Sequence, residues 1–242
     1  MIPGLYNCFD NWGKKGAVWL MGDTHFGDRD IKSGFTKRPT DEELITNINN
    51  KVGKHDTFIL LGDVGDISCV RKLKGYKILI LGNHDTGRSN YERKIVTEKF
   101  DKEKYQKDEA LLEMKRLYPH CKYEVDEGYD FQSPFEYCVS ADNCLFDEVY
   151  EGVLTIGPKL ILSHEPLEGI EWALNIHGHD HSGGGFKDKY HKNCCADVIG
   201  YTPIHLTQLI KSGPLAQIPS VHRITIDKAT KRAKARKKGK KK

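Results

Sequence analysis

The sequence predicts an α/β fold in which two packed β-sheets are flanked by helices, an αββα sandwich. Three observations predict it. The N-terminal half alternates short apolar runs with stretches of helical pattern, as parallel strands joined by right-handed crossovers do. The second half is rich in short strand-like pieces separated by turn signals. The 242 residues, 38% apolar before glycine is counted, suit one compact domain with insertions.

Taken in order, Ala17-Val18-Trp19-Leu20-Met21 reads as a buried strand. A helix over 41–52 follows Pro39, opened by Thr40 with Glu43 three residues on, the pattern of a capping box. Strands are expected at Thr57–Leu61 and Tyr76–Leu81, with a short helix at 67–74 between them. A longer charged helix is expected at 101–118, ended by Pro119. Strand-like pieces then fall at Tyr129–Gln132, Phe135–Ser140, Gly152–Ile156 and Lys159–Ser163, the last two joined by a Gly157-Pro158 turn. Further strands are expected at 173–177, 194–199 and 221–226, with a short helix at 206–211.

The net charge of +4 conceals a division. Ten of the 38 Lys and Arg residues lie in 228–242, which holds no acid, leaving 28 basic against 34 acidic residues in 1–227. The chain therefore reads as an acidic domain, 1–227, with a basic tail, 228–242, expected to be disordered. That tail has two readings: a solvated end, or weak, salt-sensitive contact with nucleic acid. No run approaches the ~18 apolar residues of a membrane span, so no membrane partner is expected. The opening Met1-Ile2-Pro3-Gly4-Leu5 lacks the basic start and apolar stretch of a signal peptide. Seven cysteines without any C-x-x-C spacing fit neither a disulfide framework nor a zinc ribbon, and are expected to be reduced thiols of a cytoplasmic protein.

Five polar clusters carry the chemistry, four of them directly after an apolar run: Gly22-Asp23-Thr24-His25, Gly62-Asp63-Val64-Gly65-Asp66, Gly82-Asn83-His84-Asp85, Ser163-His164-Glu165 and Gly178-His179-Asp180-His181. Loops at the carboxyl ends of strands in an open α/β sheet converge on one place. Each cluster alone is an ordinary turn. Gathered together, uncompensated carboxylates and imidazoles would repel or stay unpaired, and a cation answers that objection.

In order and spacing, Asp23-x-His25, Gly62-Asp63-x-x-Asp66, Gly82-Asn83-His84-Asp85, His164 and Gly178-His179-x-His181 resemble the signature of the calcineurin-like metallophosphoesterases. The opening Gly-Asp-Thr-His-Phe-Gly is similar to the small prokaryotic and phage branch of that superfamily. The resemblance implies two divalent ions, with Asp23, His25 and His181 on one, Asn83, His164 and His179 on the other, and Asp63 bridging. Nitrogen and oxygen ligands without thiolate favour Mn²⁺, Fe or Zn²⁺. It further implies a phosphohydrolase, in first place a phosphodiesterase, acting on a phosphoester by in-line attack of a metal-bridging hydroxide between ions about 3.5–4 Å apart. A phosphomonoesterase or protein phosphatase would use the same chemistry. A scaffold that binds metal without catalysis, or a nucleic-acid-binding protein led by its tail, are the readings from other classes.

His84 and Asp85 are the catalytic candidates: His84 to touch phosphoryl oxygens or protonate the leaving oxygen, Asp85, with Asp66, to orient its neighbours. Arg29, Arg88 and Arg93 follow the metal loops and read equally as phosphate-gripping or solvated charges. Two positions depart from the family pattern. Asp28 stands where relatives often carry His, and would repel a phosphate or select another group. Asp180 stands where Thr or Ser is usual. His177 is expected to be a strand residue with an ordinary partner, and Asn193–Asp197 to pack as part of a strand.

Overall fold

The computed structural model describes residues 16–28, 30–31, 38–119, 121–127, 135–143, 145–156, 159–219 and 221–239. The N-terminal segment, Arg29, the Tyr129–Gln132 strand and the Gly157-Pro158 turn lie outside the described residues.

The fold is mixed α/β with three sheets. In the first, β1 (Val18–Met21), β2 (Thr57–Leu61), β3 (Tyr76–Ile80) and β7 (Glu148–Tyr150) run parallel, and β12 (Ile204–His205) pairs antiparallel with β1 at one edge. In the second, β9 (Leu160–Leu162), β10 (Leu174–His177) and β11 (His191–Asn193) are parallel, and β8 (Leu154–Ile156) pairs antiparallel with β9. The near-continuous apolar runs of β2 and β9 are buried along their whole length, as strands covered on both faces must be. Leu20, Ile59, Leu61, Ile78 and Ile80 share a buried cluster with Leu160, Leu162, Leu174 and Ile176. The two sheets thus meet over one core.

Alternate residues of the first sheet point the other way. Met21, Phe58, Leu60 and Leu79 pack against Leu44, Ile45 and Ile48 of α1 (Asp41–Asn49) and Cys69 and Val70 of α2 (Ile67–Val70). The capping box expected at Thr40 forms: Glu43 N donates to Thr40 Oγ1 at 3.3 Å, and the Glu43 carboxylate accepts from Thr40 N at 2.8 Å. The strand entrances are also fixed by one side chain, Asp56, which accepts from Ala17 N at 2.8 Å, Gly53 N at 2.8 Å and Trp19 Nε1 at 3.1 Å.

A third sheet departs from the two expected. β4 (Ile95–Asp101), β6 (Glu136–Asp142) and β5 (Lys122–Asp126) form an antiparallel sheet in the order β4-β6-β5, with α3 (Lys107–Leu117) on one face. It has its own core of Phe100, Ala110, Met114, Val139 and Ala141. The whole unit is inserted between β3 and β7, which are neighbours in the first sheet. Its neck is closed where Asn143 N donates to Lys94 O at 3.1 Å and Lys94 N to Asn143 Oδ1 at 2.9 Å. The 101–118 helix begins later than expected because Asp101 ends β4; Glu109 Oε2 accepts from Gln106 N at 2.9 Å at the true start.

Two expectations near the C-terminus are corrected. The strand expected at 194–199 lies at 191–193, and the residues after it turn back onto the site. The strand at 221–226 and the described part of the disordered tail, 228–239, are replaced by one helix, α5 (Val221–Gly239), preceded by α4 (Leu206–Lys211) where a short helix was expected; residues 240–242 lie outside the described residues. Ala229, Ala233 and Ala235 among unbranched Lys and Arg are strong helix formers, and their propensity prevails over the local apolar spacing of Ile224 and Ile226.

Candidate metal centre

The six parallel strands β1, β2, β3, β9, β10 and β11 deliver their following loops to one place. Backbone hydrogen bonds lace those loops together: Gly22 N to Cys194 O at 2.8 Å, Asp23 N to Gly62 O at 3.0 Å, His25 N to Asp63 O at 2.9 Å, and Gly178 N to His164 O at 2.9 Å. Close approach depends on glycine at two points. A Cβ on Gly82 would lie 2.2 Å from Asp63 Oδ1, and one on Gly178 would lie 2.3 Å from Asp23 Oδ2.

Three groups of donor atoms result that could each hold a metal ion: Asp23, His25 and His181; Asp63, His164 and His179; and, sharing His181 with the first, His181, Cys195 and Asp197. The first two gather the residues expected as ligands. Asp63 Oδ2 stands between them, 3.6 Å from His25 Nε2 and 3.3 Å from His164 Nε2. His181 Nε2 is 3.7 Å from Asp23 Oδ1. Asn83 joins the second group, its Oδ1 lying 2.8 Å from His164 Nε2 and 3.1 Å from His179 Nδ1. All seven positions expected as ligands are therefore brought together.

Three of the four imidazoles have the distal Nδ1 engaged, which leaves Nε2 for an ion. His25 Nδ1 faces Asp28 Oδ2 at 3.3 Å, His164 Nδ1 donates to Leu61 O at 2.9 Å, and His181 Nδ1 donates to Asp197 Oδ2 at 2.6 Å. Asp28, which sequence alone made a candidate for repelling phosphate, is thus spoken for by His25 and by the backbone N–H groups of Asp30 and Ile31. His25 Nε2 is buried and has no hydrogen-bond partner. His164 Nε2 and His179 Nδ1 approach to 3.1 Å. A buried orphan nitrogen and two close ring nitrogens are what a donor set made for cations leaves behind, so the residues fit divalent metal.

Backbone strain is concentrated here as well. Five described residues other than glycine have positive φ, and four are candidate ligands: Asp23 (59°), His25 (40°), Asp63 (52°) and His179 (65°). Such conformations persist where the surroundings over-determine them, and they cluster at functional sites.

The electrostatics follow from burial against pairing. Burial pushes the Asp23 carboxyl up to about 6, with nearby His164, His181 and the His179 N–H only partly offsetting it. Burial also opposes a charge on His164, but the Asp63 carboxylate beside it outweighs that and raises the imidazole to about 9. For Asp63 the same burial is outweighed by His164 and by the His84 N–H, which hold its carboxyl below the usual range. A divalent ion would favour carboxylates that are ionised and imidazoles that are neutral.

The remaining candidates separate clearly. His84 is exposed beside the cluster, its ring centroid 5.6 Å from that of His25, and its backbone N–H donates to Asp63 Oδ1 at 2.9 Å. Asp85 is a clamp on the backbone: its carboxylate accepts from Gly82 N at 2.8 Å, Asp63 N at 2.9 Å and Val64 N at 3.0 Å. Asp66 caps α2 through Ser68 N at 2.8 Å. Arg88 is paired with Glu92 and Arg93 with Asp142. His177 is a buried strand residue, as expected, with Nδ1 donating to Gly178 O at 2.7 Å; its Nε2 has no hydrogen-bond partner. Asp180 accepts from Gly183 N at 2.8 Å and Ser182 N at 3.2 Å in the turn after the last ligands.

Two supporting residues escaped the sequence reading, Asp197 and Arg38. Burial works against ionising Asp197, but hydrogen bonds from His181 and Tyr201 and the charge of Arg38 outweigh it and hold the carboxyl at about 2. Arg38 Nη1 lies 2.7 Å from Asp197 Oδ2, while its Nη2 donates to Asp23 O at 2.8 Å and Thr24 O at 2.6 Å. Asp197 follows the apolar Cys194-Cys195-Ala196 just as the other site residues follow their strands, so the same signal marked it. Arg38 carried no such signal.

No protein-family model and no curated protein matches the chain. Among solved structures it is similar to a protein of unknown function from Aquifex aeolicus, at 19% identity and a TM-score of 0.46, over 81% of this chain and 98% of that one. Among the described residues no helix is long and apolar enough to cross a membrane.

Proposed function

We propose that this chain is a dinuclear metal-dependent phosphohydrolase of the calcineurin-like metallophosphoesterase type, acting on a phosphodiester, and that its first two sheets form the αββα sandwich of that class. The observation that carries this reading is the position of Asp63. One carboxylate oxygen faces His25 of the first donor group and His164 of the second, as a group shared by two ions must. When bound, a pair of Mn²⁺, Fe or Zn²⁺ ions supplies Lewis acidity to the phosphoryl centre and lowers the pKa of water there.

The chain's own residues supply the rest. Asp23, His25 and His181 would hold one ion, Asn83, His164 and His179 the other, with Asp63 between. Asn83 adds no charge, which keeps the loaded site cationic toward a phosphate. Asp85 holds the Gly62 and Gly82 loops at a fixed separation through three backbone N–H groups, so Asp63 and Asn83 keep their relative places. His84, exposed beside His25, would hydrogen-bond a phosphoryl oxygen and give a proton to the leaving oxygen. The described cysteines are free thiols, Cys194 and Cys195 fully buried, in keeping with a reducing, cytoplasmic setting.

Hydrolysis of bis-(4-nitrophenyl) phosphate and of the monoester, with Mn²⁺, with Zn²⁺ and with chelator, tests the proposal. The expected result is metal-dependent turnover of the diester, lost in Asp63→Asn. Tight metal binding with no turnover of either ester would overturn it in favour of a metal-binding scaffold.

A further inference from the structure

Helix α5 runs from Val221 to Gly239 and carries the charge that the rest of the chain lacks. It leaves the body just after Ile218, whose side chain is buried in the core and whose carbonyl accepts a hydrogen bond from Lys159 Nζ at 2.5 Å. Beyond that anchor every described side chain from Thr225 to Ala235 is exposed, so the helix stands clear of the acidic body. Lys228 lies three and four positions before Lys231 and Arg232, and Lys231 three before Lys234, spacings at which like charges repel. The acid that could relieve them is absent: Asp227, the last acidic residue, pairs back toward Arg223 at 3.3 Å. Such a helix lacks its counter-charge.

We infer that α5 is a docking element for the phosphate backbone of nucleic acid. The binding does not rest on the phosphohydrolase reading above. The chemistry of the helix favours a polynucleotide over the competing anionic surface. Ile224 and Ile226 sit two positions apart and so fall on nearly opposite sides, with only Val221 at a spacing that shares the side of Ile224, which gives no extended apolar face to lay into a bilayer. No aromatic residue lies between 221 and 239 to stack on a base, so contact is with phosphates and is independent of sequence. The stretch 228–239 spans roughly 18 Å, enough to follow several phosphates along a groove.

The test is fluorescence anisotropy of a labelled 30-base-pair duplex with the full chain in chelator, beside the quadruple variant Lys228→Ala/Lys231→Ala/Arg232→Ala/Lys234→Ala, which keeps helix propensity. For about five phosphate contacts, affinity should fall several-hundred-fold between 50 and 200 mM salt. The variant should bind at least tenfold more weakly, and Asp63→Asn should bind like the parent. Equal binding by variant and parent, or tighter binding of the parent to phosphatidylserine vesicles than to duplex, would overturn the inference. Turnover of the small diester is read in parallel. If the variant loses duplex binding while neither protein cleaves the diester, the docking helix stands and the hydrolase reading fails. If both cleave the diester and bind duplex equally, the reverse holds.

Discussion

Asp197 Oδ2 accepts the Nδ1–H of His181 at 2.6 Å, and that one contact turns the other ring nitrogen toward Asp23. The same carboxylate is held by Arg38 Nη1 at 2.7 Å and by the Tyr201 hydroxyl at 2.6 Å. Arg38 also ties down the carbonyls of Asp23 and Thr24, so a single buried ion pair orients a ligand on each of two loops. Asp197→Asn should therefore weaken metal binding by about 10–100-fold, the usual effect of removing such a support. Titration calorimetry with Mn²⁺ measures it, with the fold checked by circular dichroism. Unchanged affinity in a folded Asp197→Asn protein would remove Asp197 from the site.

His84 touches the cluster only through its backbone N–H and its ring edge. His84→Ala should keep both metals and slow turnover by about 10²–10⁴-fold, the range of general-acid assistance. The loss should be larger for alkyl than for nitrophenyl leaving groups. An equal loss for both would mean that His84 is not the acid.

Gly82 and Gly178 are expected to tolerate no side chain. In Gly82→Ala the added carbon meets the Asp63 carboxylate, and in Gly178→Ala it meets that of Asp23. Gly178→Ala should lose metal binding more completely than it loses stability, because its closest clash falls on a ligand oxygen, whereas Gly82→Ala, whose added carbon also meets Asp63 N at 2.6 Å, should lose both. Metal content of the purified protein, set against its melting temperature, decides the point. A variant that melts early yet loads both ions would contradict it.

Asp56 ties the entrances of β1 and β2 through three hydrogen bonds. Asp56→Ala should cost about 1–3 kcal/mol of stability through the donors it abandons. Although burial acts to raise its pKa, the N–H donors prevail and the folded carboxyl titrates below the ordinary value near 3.8. Its stabilising contribution is therefore complete above that ordinary value and fades as pH falls through the lower folded one. Chemical denaturation of parent and variant at pH 7 and pH 3 should show a gap that narrows in acid; a gap that widens would refute the assignment.

The parts of the fold readable in the residues were those where one local signal pointed one way. Thr40 with Glu43 marked the start of α1, and the unbroken apolar run of β2 marked a strand buried on both faces. The donor residues were legible because each follows such a run. Of the inserted sheet only β6 was, as the strand expected at Phe135–Ser140; β4 and β5 alternate exposed and half-buried residues, and charged alternation there resembles a solvated helix or loop. Arg38 was invisible for a different reason: its partner Asp197 is 159 positions away, and only the crossing of loops from the two sheets brings them together.

The narrow neck at Lys94 and Asn143 separates the inserted sheet from the loops that carry the donor atoms. The described residues between those positions pack around their own core of Phe100 and Met114, and none of the donor atoms comes from among them. That module can lengthen, shrink or be exchanged for another while the ion-holding loops stay in register. The chain is therefore built so that the inserted module can drift in sequence without disturbing the loops that carry the donor atoms.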